Sequence, residues 1–288
     1  MTSYGMTDDE VRAMRGPGSP MDVGLKMERE EGIFVTWASD PVKVAAIIPP
    51  PLEMVAPVLT AYIVNIDGTN FGPAYREAAL LVPASFEGTV GMYLVSLFVQ
   101  GAGAEQAALL GREMAGLPKK FAETVRVDRI EDAVHAYVER GGVRVVDVTA
   151  RIGDYNTPDA LQIFGANSAG AEVRGPSYFY KMDLDQIEDG SLQFSRARVI
   201  RSTSTTVYED WLPATATVTL GESANDPWAD LPVVQVLGAG YTRFKMVDFV
   251  STNIADLDAD AVAPYLLKAR YDSGLRSQAT RHFHGDVK

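Results

Sequence analysis

From Glu123 onward the chain is built almost wholly of short segments in which apolar and polar residues alternate. Glu123–Arg129, Ala133–Arg140, Val143–Ile152, Ser177–Met182, Leu192–Thr206, Thr215–Thr219 and Val233–Met246 all read this way. A period of two sends successive side chains to opposite faces of a strand, and the same residues cannot form one apolar helix stripe. Gly141-Gly142, between two of these segments, supplies the positive backbone angles of a tight hairpin. Beyond the first 26 residues, helix formers gather only in Asp40–Ala46, Ala104–Ala115 and Asp256–Lys268, the last with Pro264 marking a break. Many strands and few helices predict a mainly β (α+β) fold, an antiparallel sheet closing or nearly closing on itself into a barrel, with helices on its flanks.

The first half fits the same plan. Gly32–Trp37 is β-branched and aromatic, and Asp40-Pro41 then starts a helix with Asp at the cap and Pro at its first position. Pro49, Pro50 and Pro51 make a stiff connector into a strand over Leu59–Ile66, which Asp67-Gly68 should stop. Two long strands follow, Tyr75–Val82 and Thr89–Val99, joined around Pro83 and Glu87-Gly88. Alternation sets Tyr75, Glu77 and Ala79 on one face, so Glu77 reads either as a pocket-wall carboxylate or as a solvated edge charge. Residues 1–26 are rich in Gly and Pro and read as an arm with a short acidic helix over Asp8–Met14. Residues 27–288 are expected to form a single domain.

Composition removes several functions. No apolar run approaches the roughly 18 residues of a membrane span, and the polar N-terminus lacks an export signal, so a cytoplasmic protein is expected. Cysteine is absent, which excludes disulfides, thiolate metal sites and thiol nucleophiles. A net charge of −12 repels nucleic acid. Of the histidines His135, His282 and His284, the last two form an H-x-H without a third ligand nearby, so no metal and no cofactor are expected. Gly101–Gln106 lacks nucleotide-loop spacing, and neither Ser96 nor Ser195 sits in a G-x-S-x-G elbow.

The stretch Gly111–Lys120, GREMAGLPKK, stands apart. Gly116 and Pro118 stop the preceding helix and hold Lys119-Lys120 at a fixed point. A lysine amine attacks carbon only when neutral, and its free pKa near about 10.4 keeps it charged. An apolar pocket or a second nearby cation would lower that value; the negative end of a helix would oppose it. The same residues are also compatible with a solvated basic step after a helix.

GREMAGLPKK resembles the signature of the acetoacetate decarboxylase-like superfamily, in which G-R-E, a glycine-containing spacer and P-K-K present an imine-forming lysine followed by a second one. Ile47–Glu53 (IIPPPLE), Phe71–Gly88, Pro176–Lys181 and Asn225–Val236 are similar to further segments of that family, and the resemblance spans Ile33–Val250. It implies a flanked β-barrel, a homo-oligomer and a small oxo-acid substrate. It also implies Lys119 as the imine-forming residue, Lys120 as the second lysine, and Glu77 as the group that orients substrate or moves protons. Two positions depart. Tyr62 stands where the family has another glutamate, and the family's N-terminal arginine falls on Glu30, beside Arg29, so Arg29 takes that role only with a one-residue shift. Tyr62 and Tyr75 would suit a larger or aromatic oxo acid. Three readings result: a decarboxylase of a β-keto or related acid, an imine-dependent aldolase, dehydratase or hydratase acting on 2-oxo acids, and a non-catalytic ligand-binding barrel.

Overall fold

The computed structural model describes residues 5–15 and 25–272; His282 and His284 lie outside them. In chain order the elements begin with α1 (Asp8–Arg15), β1 (Met27–Ala38), α2 (Pro41–Ala46), β2 (Glu53–Met54), β3 (Val58–Thr69), β4 (Tyr75–Phe86), β5 (Thr89–Gln100) and α3 (Ala104–Leu110). A π-helical turn (Gly111–Ala115) leads into β6 (Lys119–Phe121), β7 (Thr124–Ile130), β8 (Ala133–Arg140), β9 (Val143–Ile152) and α4 (Ala160–Phe164). The remainder is β10 (Glu172–Gln186), β11 (Leu192–Tyr208), β12 (Leu212–Leu220), a 3-10 turn (Trp228–Asp230), β13 (Gln235–Leu257) and α5 (Ala259–Arg270).

Local chemistry explains the first pairings. Glu87 and Gly88 have φ of 49° and 77°, and Gly141 and Gly142 have 60° and 74°. Both two-residue turns thus carry the positive angles that match the twist of antiparallel strands, joining β4 to β5 and β8 to β9. Asp40 caps α2 as expected, its side chain accepting from the backbone N–H groups of Val42 and Lys43.

The strands form one sheet in which β1-β3-β4-β5-β10-β11-β13 are neighbours in that order, and pairing of β13 with β1 closes these seven into a ring. β13 also pairs with β12, which starts a branch running β12-β9-β8-β7. Alternation then sorts side chains to two places. One face of β1, β3, β4 and β5 packs with the branch into the larger apolar core, where Trp37, Ile63, Leu80 and Phe98 meet Val125, Val138 and Val146. Each fully buried side chain of that size contributes about 1.5–3 kcal/mol. The other face, drawn from all seven ring strands, bounds a cavity.

The expectation of a mainly β, closed, helix-flanked sheet matches this architecture, while several details differ. β1 starts at Met27 rather than Gly32, because both β3 and β13 pair with its early part. β3 runs through Asp67-Gly68 to Thr69, since Gly68 stays paired with Arg29. The sheet is not wholly antiparallel: β5 pairs in parallel with β6 and with β10. A chain that leaves β5, crosses over through α3 and returns to its side must run in the same direction. Pro264 lies inside α5 without breaking it.

Candidate active site

The lysine step is set by its neighbours before its own chemistry enters. The π-helical turn ends at Gly116, whose φ of 73° and lack of Cβ are both required. A Cβ there would lie 2.6 Å from the Lys181 Cα. Arg112 of the same turn donates to the Lys119 carbonyl at 2.9 Å and to that of Arg270 at 3.2 Å. Arg270, at the end of α5, returns two bonds to the Gly116 carbonyl at 2.9 and 3.0 Å. Burial and the nearby Arg112 lower the Arg270 pKa to about 10. In the parallel pairing Lys119 is level with Leu97 and Lys120 with Phe98. Level residues share a face, so Lys119 joins Leu97 at the cavity while Lys120 joins Phe98 on the opposite side.

On the cavity side Lys119 Nζ donates to Glu77 Oε2 at 2.9 Å, with both side chains about 95 % buried (5 % and 6 % exposed). The Tyr62 hydroxyl donates to the other carboxylate oxygen, Oε1, at 2.5 Å. Tyr75 sets its ring 5.5 Å from Lys119 Nζ but is not among the cavity's lining residues. Burial, and then the Glu77 charge, push both phenols well above their usual pKa, so they remain hydrogen-bond donors. Gly111 makes room for the lysine, since a Cβ there would stand 2.8 Å from Lys119 Cε.

Arg29 is not part of this arrangement. Between Met27 and Glu30 three steps on β1 oppose only two on β13, from Met246 to Phe244. The extra residue lets Met27 and Glu30 both face the cavity, as Met246 and Phe244 do, and leaves Arg29 exposed outside it. A carboxyl group therefore enters where a guanidinium was expected. Burial first, and the Glu77 charge second, push the Glu30 carboxyl well above the usual carboxylate range, against an opposing pull from Lys119.

Lys120 belongs to a separate buried cluster. Its Nζ lies 3.1 Å from Asp226 and 3.2 Å from Asp272, and it donates to the Asn225 carbonyl at 2.9 Å. Arg140 bridges the same two carboxylates at 2.6 Å each. The second cation that the lysine pair offers is thus bound by carboxylates on the far face. Its partners come from the loop before the 3-10 turn and from beyond α5, which no local pattern around Lys120 could disclose.

The cavity measures about 540 Å³, within the range of sites that enclose a whole small-molecule ligand. Leu94, Leu97, Phe179, Phe244, Met246 and Phe249 supply much of its wall, and Ile163 and Phe164 of α4 contribute to it. Among the described residues that line it, Lys119 is the sole Lys, Arg or His, and it shares the space with Glu30 and Glu77.

Fold and site together define a class: a β-ring protein whose apolar cavity holds a buried lysine paired to a carboxylate. The chain belongs to the acetoacetate decarboxylase family, whose model matches residues 7–256. Its relatives include the CLA biosynthesis isomerase of Lactiplantibacillus plantarum, 33% identical over 249 residues, covering 85% of this chain and 89% of that protein. Another is the acetoacetate decarboxylase of Chromobacterium violaceum, 29% identical, covering 73% and 79%. A solved acetoacetate decarboxylase structure superposes with a TM-score of 0.68 at 20% identity, over 87% of this chain and 99% of the other. The enduracididine biosynthesis enzyme MppR, complexed with the condensation product of pyruvate and imidazole 4-carboxaldehyde, does so at 0.58 and 14%, covering 82% and 92%. Membership makes the chain an acetoacetate decarboxylase-like enzyme, in a family whose named members include more than decarboxylases. No helix among the described residues is long and apolar enough to cross a membrane.

Proposed function

We propose that Lys119 forms an imine with a ketone that carries a long apolar substituent, and that Glu77 moves protons on the carbons beside that imine. The observation that carries this reading is the buried Lys119 amine, 2.9 Å from Glu77, as the sole cationic group lining a large apolar cavity among the described residues. Passing a proton from Nζ to Glu77 Oε2 leaves a neutral amine, which adds to the carbonyl carbon; loss of water gives the protonated imine. That cation draws electrons from the adjacent carbon, whose proton goes to a carboxylate, and an enamine results. Reprotonation at another carbon of a conjugated enamine moves a double bond, and hydrolysis frees the product and Lys119. Tyr62, bonded to Oε1, fixes which oxygen of Glu77 faces the amine. The isomerase name of one relative supports this use of the imine.

Decarboxylation of a β-keto acid is the second reading, supported by the relatives named acetoacetate decarboxylase. There the carbon–carboxylate bond breaks instead, its electrons enter the same protonated imine, and carbon dioxide leaves. Against it stands the lining of the cavity: among the described residues Lys119 is its sole cation and is already paired with Glu77, which leaves a substrate carboxylate near the imine no cation of its own. Imine-dependent aldol, dehydration or hydration chemistry on 2-oxo acids meets the same difficulty.

Borohydride reduction tests the reading. With a medium-chain methyl ketone, mass spectrometry should find a reduced adduct on the Lys119 peptide, absent in Lys119→Ala. A folded protein that labels with no ketone or oxo acid would remove the imine and leave a ligand-binding barrel. Carbon dioxide released from a β-keto acid faster than double-bond migration in a matched unsaturated ketone would favour the second reading.

A further inference from the structure

Glu30 is the buried ionisable group that the mechanism above leaves unused. It is 7 % exposed, and it is turned into the cavity by the irregular pairing of β1 with β13. Among the described residues its carboxyl makes no hydrogen bond and no ion pair, whereas Glu77 has both Lys119 and Tyr62. A buried, unpaired carboxyl is costly to keep as an anion and is retained at low cost only as the neutral acid. The charged and titratable groups that face it come from four other strands. They are Tyr62 on β3, Tyr75 and Glu77 on β4, Lys119 on β6 and Tyr208 on β11. Lys119 is the one cation in that set, and it is already paired with Glu77.

Glu77 is ion-paired with the one amine that lines the cavity, whereas Glu30 is unpaired in the apolar wall and favours its protonated form. Such a pair divides acid and base roles between its members. We propose that Glu30 is a second catalytic group, the acid that delivers a proton to the carbon remote from the imine while Glu77 removes one from the carbon next to it. The substrate class this arrangement takes is a β,γ-unsaturated ketone with an apolar chain, which leaves as its conjugated isomer. The proposal rests on the imine reading.

The balance is as follows. In the protonated imine of a β,γ-unsaturated ketone, the α-carbon proton passes to Glu77, giving a neutral dienamine and a protonated Glu77. Glu30 gives its proton to the γ-carbon, the double bond moves to α,β, the imine becomes cationic again, and Glu30 is left as a carboxylate. Hydrolysis consumes the water released when the imine formed. The proton on Glu77 then returns to Glu30, and no oxidant, reductant or net proton is needed.

The test uses the full chain in deuterated water with a medium-chain β,γ-unsaturated methyl ketone, following deuterium at the α- and γ-carbons by NMR. Glu30→Gln keeps the size and polarity of the side chain but has no acidic proton to deliver. The expected result is borohydride labelling of Lys119 and α-carbon exchange within about twofold of wild type, with γ-carbon deuteration lowered by roughly 100-fold or more, in the range of a lost general acid. Glu30→Asp, which keeps the acid, should recover part of the γ-carbon rate. Labelling and exchange at both carbons equal to wild type in Glu30→Gln, or equal losses at both, would overturn the role of Glu30 and leave the imine intact. A wild-type protein that never labels at Lys119 would overturn the imine reading, and this one with it.

Discussion

Replacing Lys120 with Met separates the scaffold from the chemistry. Lys120 and Arg140 face Asp226 and Asp272, two cations against two carboxylates, so the cluster is neutral. The substitution leaves one net negative charge, and Asp226, with its side chain only 2 % exposed, cannot recover it from water. Breaking a buried pair by removing one partner costs roughly 3–5 kcal/mol. Two features pull this case to the lower end. Arg140 keeps its 2.6 Å contacts to both carboxylates, and the Asp272 side chain is 32 % exposed. A loss of about 3 kcal/mol is expected, read as a fall in Tm of about 5–10 °C for a chain of this size. Lys120→Met/Asp226→Asn restores neutrality, so the double variant should recover a good part of that loss; the coupling follows from a double-mutant cycle. Borohydride labelling of Lys119 should persist in both variants below their melting temperatures. If Lys120→Met melts with wild-type stability yet loses labelling, Lys120 acts on the amine itself and its assignment to the scaffold is wrong.

Three further outcomes follow from the same geometry. Glu30→Gln should flatten the dependence of stability on pH: a carboxyl whose folded pKa is raised holds its proton longer in the folded state. Wild-type stability therefore falls as pH rises above the unfolded value near about 4.3, by up to about 1.4 kcal/mol per unit until the folded value is passed. Urea unfolding at a series of pH values reads this, and parallel profiles for the two proteins would contradict it. Gly111→Ala should lower ketone labelling by about tenfold or more while costing little stability, because the new Cβ meets the flexible Lys119 side chain at 2.8 Å rather than backbone; wild-type labelling would show that the amine needs no such clearance. Tyr62→Phe removes the donor to Glu77 Oε1 and should cost about 1–3 kcal/mol of stability. It should also lower ketone labelling of Lys119, and wild-type labelling would count against Tyr62 orienting Glu77.

Legibility in the sequence tracked how local the cause was. The hairpins were legible because Glu87-Gly88 and Gly141-Gly142 carry their turn geometry in their own residue types, and α2 because Asp40-Pro41 caps it. For Glu77, alternation fixed only which neighbours share its face; the choice between a cavity wall and a solvated edge was made by the closed ring of strands. Arg29 was offered on the resemblance with a one-residue shift, and the unshifted position, Glu30, is the one that faces the cavity, because an extra residue enters β1 and nothing in residues 27–30 marks that without their partners. The pairing of β5 with β6 escaped notice because a three-residue strand has too little pattern to register.

What the sequence by itself determined was a mainly β fold, together with a lysine held just beyond a helix stop, since both follow from periodicity and from Gly and Pro at fixed positions. Only the tertiary structure decided what surrounds that lysine. Glu77, Tyr62 and Glu30 come from three strands, and the partners of Lys120 lie about a hundred or more residues away in sequence. Contacts of that range depend on register and ring closure, so the chemistry of Lys119 is set by strands that its own segment does not encode.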